Sequence, residues 1–449
     1  MQDKPQGEMK MSEGYKVIHD PVHGSIKVDE PFLTVLDRHE MQRLRAVKQL
    51  GLGSLVFPGA NHTRFEHSLG TYHLAGRMAA SIGLSEEDAL AVRMAGLLHD
   101  ICHTPFSHTT EEIAEHVTGM DHMEAAEKLI TGRIRTHLER DNDMFDGVPP
   151  ISEVLEENGI SPEKVCGLIM YPESTDENLE SFSSGKRAAH FSQKDFIHQI
   201  IHGPVDADQM DYLVRDAHYT GVVHGKVDIE RLIGTMRINN DRIVIEKGGK
   251  AAAEGLMVAR SLMYSSVYFH RTVRIIKMML LKSIEASSID VGEIYLWNDA
   301  ELMERLIKEG GTPSKIARSV QNRVLYKKVM TVFSEDTSED LLSYLSEFTS
   351  YQKRKQLEKE IAERAGVDVS DVVVDIPPRS ILLSNMSIGK TDVSILDPEG
   401  KVKSLTRLSP IAKALQSRDT FGWSLLVASP EEHRDAVLKA SKKIFPGTD

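Results

Sequence analysis

The sequence predicts a mostly α protein: a helical body with a small N-terminal hairpin and a C-terminal α+β lobe. Three observations carry this. Segments between residues 32 and 364 repeat apolar residues at helical spacing. Residues 15–27 have strand character broken by Pro21 and Gly24, and beyond Arg364 short β-type runs alternate with helical ones.

Taken in order, residues 1–14 read as disordered, and YKVIHDPVHGSIK (15–27) as a hairpin. FLTVLDRHEMQRLRAVKQL places Leu33, Leu36, Met41, Leu44 and Val47 at helical spacing, which predicts one helix over Phe32–Leu50. GLGSLVFPGA is a loop. SLGTYHLAGRMAASIGL and EEDALAVRMAGLLHD follow as two helices divided by the cap signal Ser85-Glu86-Glu87. TEEIAEHV and HMEAAEKLITGRI continue the helical pattern. Residues 171–192, polar and rich in Ser and Glu, read as a surface insertion.

FIHQIIHGPVDADQMDYLVRDAHYTGV is helical in its second half, and MRINNDRIVIEKGGK holds two β-type runs around Asn239-Asn240-Asp241, a second hairpin. Gly248-Gly249-Lys250 lacks the spacing of a phosphate loop and reads as a turn before a long helix, Ala251–Ser287. VSDVVVDIP, KTDVSILDP and GWSLLVAS then alternate with helical SPIAKALQ and PEEHRDAVLKASKKIF. The last helix is expected to open with Ser429 as cap and Pro430 at its first position. The chain thus divides into a disordered 1–14, a core over 15–287 and a C-terminal helical and α+β region over 288–449.

The bulk properties narrow the function. A net charge of −13 over 449 residues weighs against nucleic acid or an anionic membrane as partner. Two cysteines, Cys102 and Cys166, allow neither a disulfide framework nor a CxxC zinc site and suit a reducing compartment. VRIIKMMLLKSI, the most apolar helical run, is too short and too interrupted by lysine to span a bilayer. No signal peptide is visible, so a soluble cytoplasmic protein is expected.

The chemistry concentrates in GLLHDICHTPFSH, which sets His99, Asp100, His103 and His108 at the end of a segment that reads as a buried helix. Apolar surroundings tolerate such groups only when they are paired or bound. With His67 of TRFEHS and an aspartate of DADQMD they make a donor set for a divalent metal. Adjacent helical residues lie about 100° apart, so other segments must complete the coordination sphere. Spacing leaves Asp206, Asp208 and Asp211 equally open.

KVIHDPVHGSIKV, QRLRAVKQLGLGSLVFPGANHTRFEHSLGTYHLAGR, AGLLHDICHTPFSH, DADQMDYLVRDAHYTG and, more loosely, VYFHRTVR stand in this order over residues 15–280. In this the sequence resembles the HD-domain metal-dependent phosphohydrolases, within them the branch of the SAM-and-HD-domain dNTP triphosphohydrolase, with no SAM domain ahead of the motifs. The resemblance implies His67, His99, Asp100 and Asp208 as ligands of a divalent ion, Mn, Fe, Mg or Zn. It places His103, His108 and His122 on the phosphate side, with His108 oriented by Glu111 as a proton-handling dyad. Glu111 stands where the family pattern has aspartate.

For the substrate the resemblance implies Gln49 at sugar or base, Arg64 at the phosphates, Tyr212 under the sugar face and Asp216 near the 3′-hydroxyl. Two positions depart from it. Gln209 replaces a phosphate-contacting lysine and Ser266 an arginine, with Arg271, Arg274 and Lys277 nearby as possible substitutes. A guanine nucleotide effector between subunits would meet Lys16, Val17, Asp37, Gln42 and Arg45, in a homo-oligomer, dimer or tetramer. The implied activity is hydrolysis of deoxynucleoside triphosphates to deoxynucleoside and triphosphate. The alternative, favoured by the two missing charges, is hydrolysis of nucleoside mono- or diphosphates or another phosphoester.

Overall fold

Two helices packed through small residues set the frame of the molecule. The computed structural model describes residues 14–136, 148–170, 195–333, 338–377, 393–416 and 423–445. The segments read as a disordered N-terminus (1–13 of it) and as an insertion at 171–192 lie outside the described residues.

The first hairpin forms as expected, with β1 (Tyr15–Asp20) antiparallel to β2 (Gly24–Asp29). The single helix expected over Phe32–Leu50 is instead two short ones, Phe32–Leu36 and His39–Arg43, followed by a tight turn. The break falls at Arg38, which is extended (ψ 143°). Its guanidinium is buried against Glu40 at 2.8 Å and also reaches the carbonyl of Pro149, so the chain turns to satisfy the charge. The apolar spacing survives because Phe32, Leu36, Met41 and Leu44 all face one core.

Helix α1 (Arg64–Ile82) starts at Thr63, whose N–H donates to Glu66 Oε2 at 2.6 Å, and stops at Gly83 in the left-handed region (φ 70°). Helix α2 (Glu86–Leu98) starts where the cap signal placed it, with Asp88 N donating to Ser85 Oγ at 3.2 Å. Gly96 lies against α1: a Cβ there would stand 3.2 Å from the carbonyl oxygen of Thr71. This close approach brings the start of α1 beside the end of α2. α3 (Glu111–Thr118) and α4 (His122–Ile130) follow, and α5 (Ala207–Thr220) packs on α1.

The second hairpin, β3 (Met236–Asn239) and β4 (Arg242–Glu246), turns on Asn240 and Asp241 at φ 49° and 56°, the positive pair that its tight turn requires. The long helix expected over Ala251–Ser287 is interrupted. α6 (Lys250–Met263) runs into a π turn, Tyr264–Tyr268, and α7 (Arg271–Glu285) restarts after an extended His270. Hydroxyls compete with the backbone there. Ser265 and Ser266 donate back to the carbonyl of Leu262 at 3.1 and 2.7 Å, and Tyr268 Oη donates to Asp216 Oδ2 at 2.7 Å.

Later strands divide between two sheets: β5 (Lys327–Val332), β6 (Val373–Asp375), β7 (Ser394–Leu396), β8 (Val402–Ser404) and β9 (Leu425–Ser429). The orders are β3-β4-β7-β8, with β7 parallel to β4, and β5-β9-β6, all antiparallel. α8 (Tyr351–Ala365) and α9 (Arg434–Ile444) cover the second sheet. α9 begins later than its cap signal suggested, because Ser429 is still paired with Lys327 in the sheet. Ion pairs join this lobe to the body. Arg274 Nε and Nη2 grip Asp375 at 2.6 and 2.5 Å, Lys282 meets Glu358, and Arg354 Nη1 reaches Glu112 at 2.6 Å. Among the described residues no helix is long and apolar enough to cross a membrane.

Candidate metal centre

His67, one turn into α1, and His99, just past the end of α2, point their Nε2 atoms at each other across 3.2 Å. Each ring has its other nitrogen occupied: His99 Nδ1 donates to the carbonyl of Gly96 at 2.9 Å, and His67 Nδ1 lies 2.7 Å from Asp211 Oδ2. Carboxylates close on the same point. Asp208 Oδ1 is 2.9 Å from His67 Nε2 and 3.8 Å from His99 Nε2, and Asp100 lies 3.6 and 3.5 Å from the two rings. His67, His99 and Asp100 could hold a metal ion together.

The electrostatics suit a cation. Burial lowers the affinity of His67 for a proton, but Asp208 and Asp211 override it and push the ring up to about 10. Burial would raise Asp100, yet Arg64 at 2.6 Å, His99 and His103 hold its carboxyl well below the usual range. The other two aspartates of DADQMD are committed elsewhere. Asp206 caps α5, accepting from Gln209 N at 2.7 Å and Gly203 N at 3.0 Å. Asp211, fully buried, accepts from Arg215 Nε and Nη2 at 2.8 and 2.9 Å and contacts His23 at 2.6 Å.

Sequence reasoning missed this supporting network. Arg215 also reaches Asp20 at 2.8 Å, so the IHDPVH hairpin is tied to the centre through Asp20 and His23. Gly70 of α1 makes the space, since a Cβ there would collide with Asp211 Oδ1. A signal existed in the i,i+4 spacing of Asp211 and Arg215, but neither partner announced that it would be buried.

A second cluster adjoins the first through Asp100, whose Oδ1 is 3.3 Å from His103 Nε2. His103 stacks on His122 (centroids 4.3 Å apart, 23° between planes) and meets His108 edge-on at 4.9 Å. The expected dyad forms: His108 Nδ1 lies 2.8 Å from Glu111 Oε2. Glu111 also binds His122 through its other oxygen, a contact the spacing did not predict. Burial raises Glu111, but His122 and His108 together hold it well below the ordinary value. Burial with the Arg64 charge keeps His103 well below its own, hence neutral.

The positions expected at the substrate have the following partners. Arg64 is buried, donating to Ser107 Oγ at 3.0 Å as well as to Asp100. Gln49 is buried, and its Oε1 has no partner among the described residues. Asp216 is held by His62 Nε2 at 2.7 Å and by Tyr268, and Tyr212 stands edge-on to Tyr268 at 6.1 Å. The effector positions meet as two pairs. Lys16 Nζ lies 3.2 Å from Asp37, and Arg45 donates to Gln42 at 2.7 Å while covering the Phe65 ring, with Val17 exposed on β1.

A model of the HD domain matches residues 64–161 and one of the HD associated region residues 227–446. An uncharacterized protein of Methanocaldococcus jannaschii is 32% identical over 426 residues, 93% of this chain and 80% of that protein. The chain belongs to the HD-domain phosphohydrolases. Human SAMHD1, a deoxynucleoside triphosphate triphosphohydrolase, is 31% identical over 284 residues, covering 59% of this HD-domain chain and 43% of its own length. A hypothetical protein from Aquifex aeolicus superimposes with a TM-score of 0.68 at 27% identity, over 96% of this chain and 100% of its own.

The HD segment itself is held by strain and counter-bonds. Phe106 and Ser107 sit at φ 58° and 56°, where non-glycine residues are disfavoured. Asp299 steadies them, accepting from Phe106 N at 2.7 Å and Lys48 N at 3.1 Å. Burial raises its carboxyl to about 6. A raised acid favours the folded state below that value and loses this contribution as pH rises through it. The stability advantage of the native protein over Asp299→Asn is therefore expected to shrink by about 2–3 kcal/mol between pH 4 and pH 7. Urea denaturation of both proteins across that range measures it.

Proposed function

We propose that this phosphohydrolase cleaves deoxynucleoside triphosphates into deoxynucleoside and triphosphate. The observation that carries the reading is the junction at Asp100, where a His67–His99–Asp100–Asp208 donor set touches the His103–His108–His122 cluster held by Glu111. The match to a deoxynucleoside triphosphate triphosphohydrolase supports the substrate class. The donor set fits a divalent cation, since both Nδ1 atoms are engaged and both Nε2 atoms converge. Two imidazoles and two carboxylates suit Mn, Fe, Mg or Zn. Such an ion activates water and polarises a phosphoryl oxygen.

The chain's own groups do the rest. Arg64, anchored on Asp100 and Ser107, faces the phosphates, and neutral His103 lines them without adding charge. Glu111 fixes the Nδ1 atoms of His108 and His122, which leaves their Nε2 atoms to face the substrate. His108 is the more exposed of the two and hands its proton to the departing 5′-oxygen after attack at the α-phosphorus. Tyr212 beneath the sugar excludes a 2′-hydroxyl, and Asp216 and Gln49 meet the 3′-hydroxyl and base. A guanine nucleotide held by Lys16, Val17, Asp37, Gln42 and Arg45 activates a dimer or tetramer.

A second reading, mono- or diphosphates as substrate, is favoured by neutral Gln209 and by Ser266, whose hydroxyl is tied to Leu262. Product analysis separates the two. Mn-loaded protein is incubated with each dNTP, with and without GTP, and the products are resolved by ion exchange. Tripolyphosphate with deoxynucleoside is expected, faster with GTP. Turnover of mono- or diphosphates alone would establish the second reading. Glu111→Gln is expected to lower kcat by about 10²–10⁴-fold with bound metal unchanged, as checked by elemental analysis.

A further inference from the structure

Helix α3 carries Glu111 at its first position, yet only two of its eight residues, Ile113 and Ala114, are deeply buried. The C-terminal lobe supplies two further contacts. Arg354 of α8, itself buried, reaches Glu112 Oε2 at 2.6 Å. One turn back on α8 the Tyr351 ring lies 4.7 Å from that of His116, one turn further along α3. Two contacts a turn apart on each helix hold α3 against both sliding and rotation. Arg354 is itself steered: its guanidinium lies over the Tyr351 ring, 5.3 Å from the centroid, and Glu285 stands 3.8 Å from Nη2. Among the described residues its Nε has no hydrogen-bond partner. A buried ion pair repays little of its desolvation cost as stability, so its contribution here is one of geometry. That geometry reaches the chemistry because Glu111 and Glu112 share a turn. Glu112 faces the lobe, while Glu111 binds His108 Nδ1 at 2.8 Å and, through its other oxygen, His122 Nδ1. Any shift of α3 moves the carboxylate that orients both imidazoles.

We propose that Arg354 is a positioning residue for the proton-handling pair. Through Glu112 it sets the place of α3, so that Glu111 meets His108 and His122 only while the C-terminal lobe is docked. This rests on the role given above to Glu111, and the number of phosphates on the substrate does not enter.

The test is a kinetic double-mutant cycle on the full-length, Mn-loaded protein, with whichever phosphoester the wild type hydrolyses. Arg354→Gln, Arg354→Lys and Glu112→Gln are made in the wild type and in the Glu111→Gln background, with metal content and melting temperature recorded for each. In the wild type Arg354→Gln is expected to lower kcat by about 10–100-fold and to move KM by less than about 3-fold. Glu112→Gln, on the more exposed partner, does the same, and Arg354→Lys restores part of the loss. In the Glu111→Gln background the same substitutions are expected to change kcat by less than about 3-fold, since the group they act through is gone. An equal loss in both backgrounds overturns the assignment, and so does an unchanged kcat for Glu112→Gln. Should Arg354→Gln melt early or lose its metal, Glu112→Gln decides by the same comparison. If Glu111→Gln alone leaves kcat unchanged, the dyad falls and the assignment with it. A wild type that cleaves other phosphoesters but no dNTP, with the background dependence intact, sinks the triphosphohydrolase reading and supports Arg354.

Discussion

Replacing His99 by alanine is expected to abolish phosphoester hydrolysis, by about 10³-fold or more, and to remove the metal with it. His99 stands past the last turn of α2; its N–H bonds the carbonyl of Ala95, which alanine keeps, and among the described residues its side chain bonds backbone only from Nδ1 to Gly96. Truncation therefore leaves the helix and its packing on α1 intact, and the melting temperature should move little. What is lost is one of two converging Nε2 donors, and His67, Asp100 and Asp208 alone cannot hold the ion against water. Elemental analysis and rate measurement on the same preparation read both effects. Activity within tenfold of wild type would place hydrolysis somewhere other than this centre.

Asp211→Ala should be the most destabilising single change near the site, costing about 3–5 kcal/mol. The carboxylate is fully buried and serves Arg215, His67 and His23 at once. Without it Arg215 keeps, among the described residues, only Asp20 for a buried guanidinium. His67 also loses the partner that fixes its ring, which should weaken metal binding by about 10–100-fold. Asp211→Asn preserves volume and separates the two losses: metal affinity should fall more than stability does. Urea denaturation with a chelator present gives the stability, and competition with a metal indicator gives the affinity. A drop below about 1 kcal/mol for the alanine variant would mean the network is dispensable.

The parts of this fold legible in the sequence were those decided locally. Asn240 and Asp241 supply the backbone conformation a tight hairpin demands, and Ser85 supplies the acceptor a helix start demands, so both could be placed from residue type. The division at Arg38 could not, because apolar spacing records which residues meet the core and not whether the chain between them stays helical. The interruption at Tyr264–Tyr268 was hidden for a related reason: it depends on Tyr268 finding Asp216 in another helix. His99 and Asp100 stood out as polar residues in apolar company, whereas Asp208 was set apart from Asp206 and Asp211 only by the family resemblance. Asp20, His23, His62 and Arg215 did not, since their burial follows from partners distant in sequence. The pairing of β7 with β4 spans some 150 residues and left no trace in composition.

That π turn has a bearing on how this protein can vary. It ends at an extended His270, so α7 starts as a new helix whose direction and phase are set at residues 264–270 and not carried over from α6. From that start Arg274 meets Asp375 and Lys282 meets Glu358. The five residues 264–268 therefore act as a phase setting between the HD body and the C-terminal lobe. Side chains there can change within limits of volume, but their number is fixed. Removing one is expected to shift the start of α7 and with it the charged face that joins the lobe.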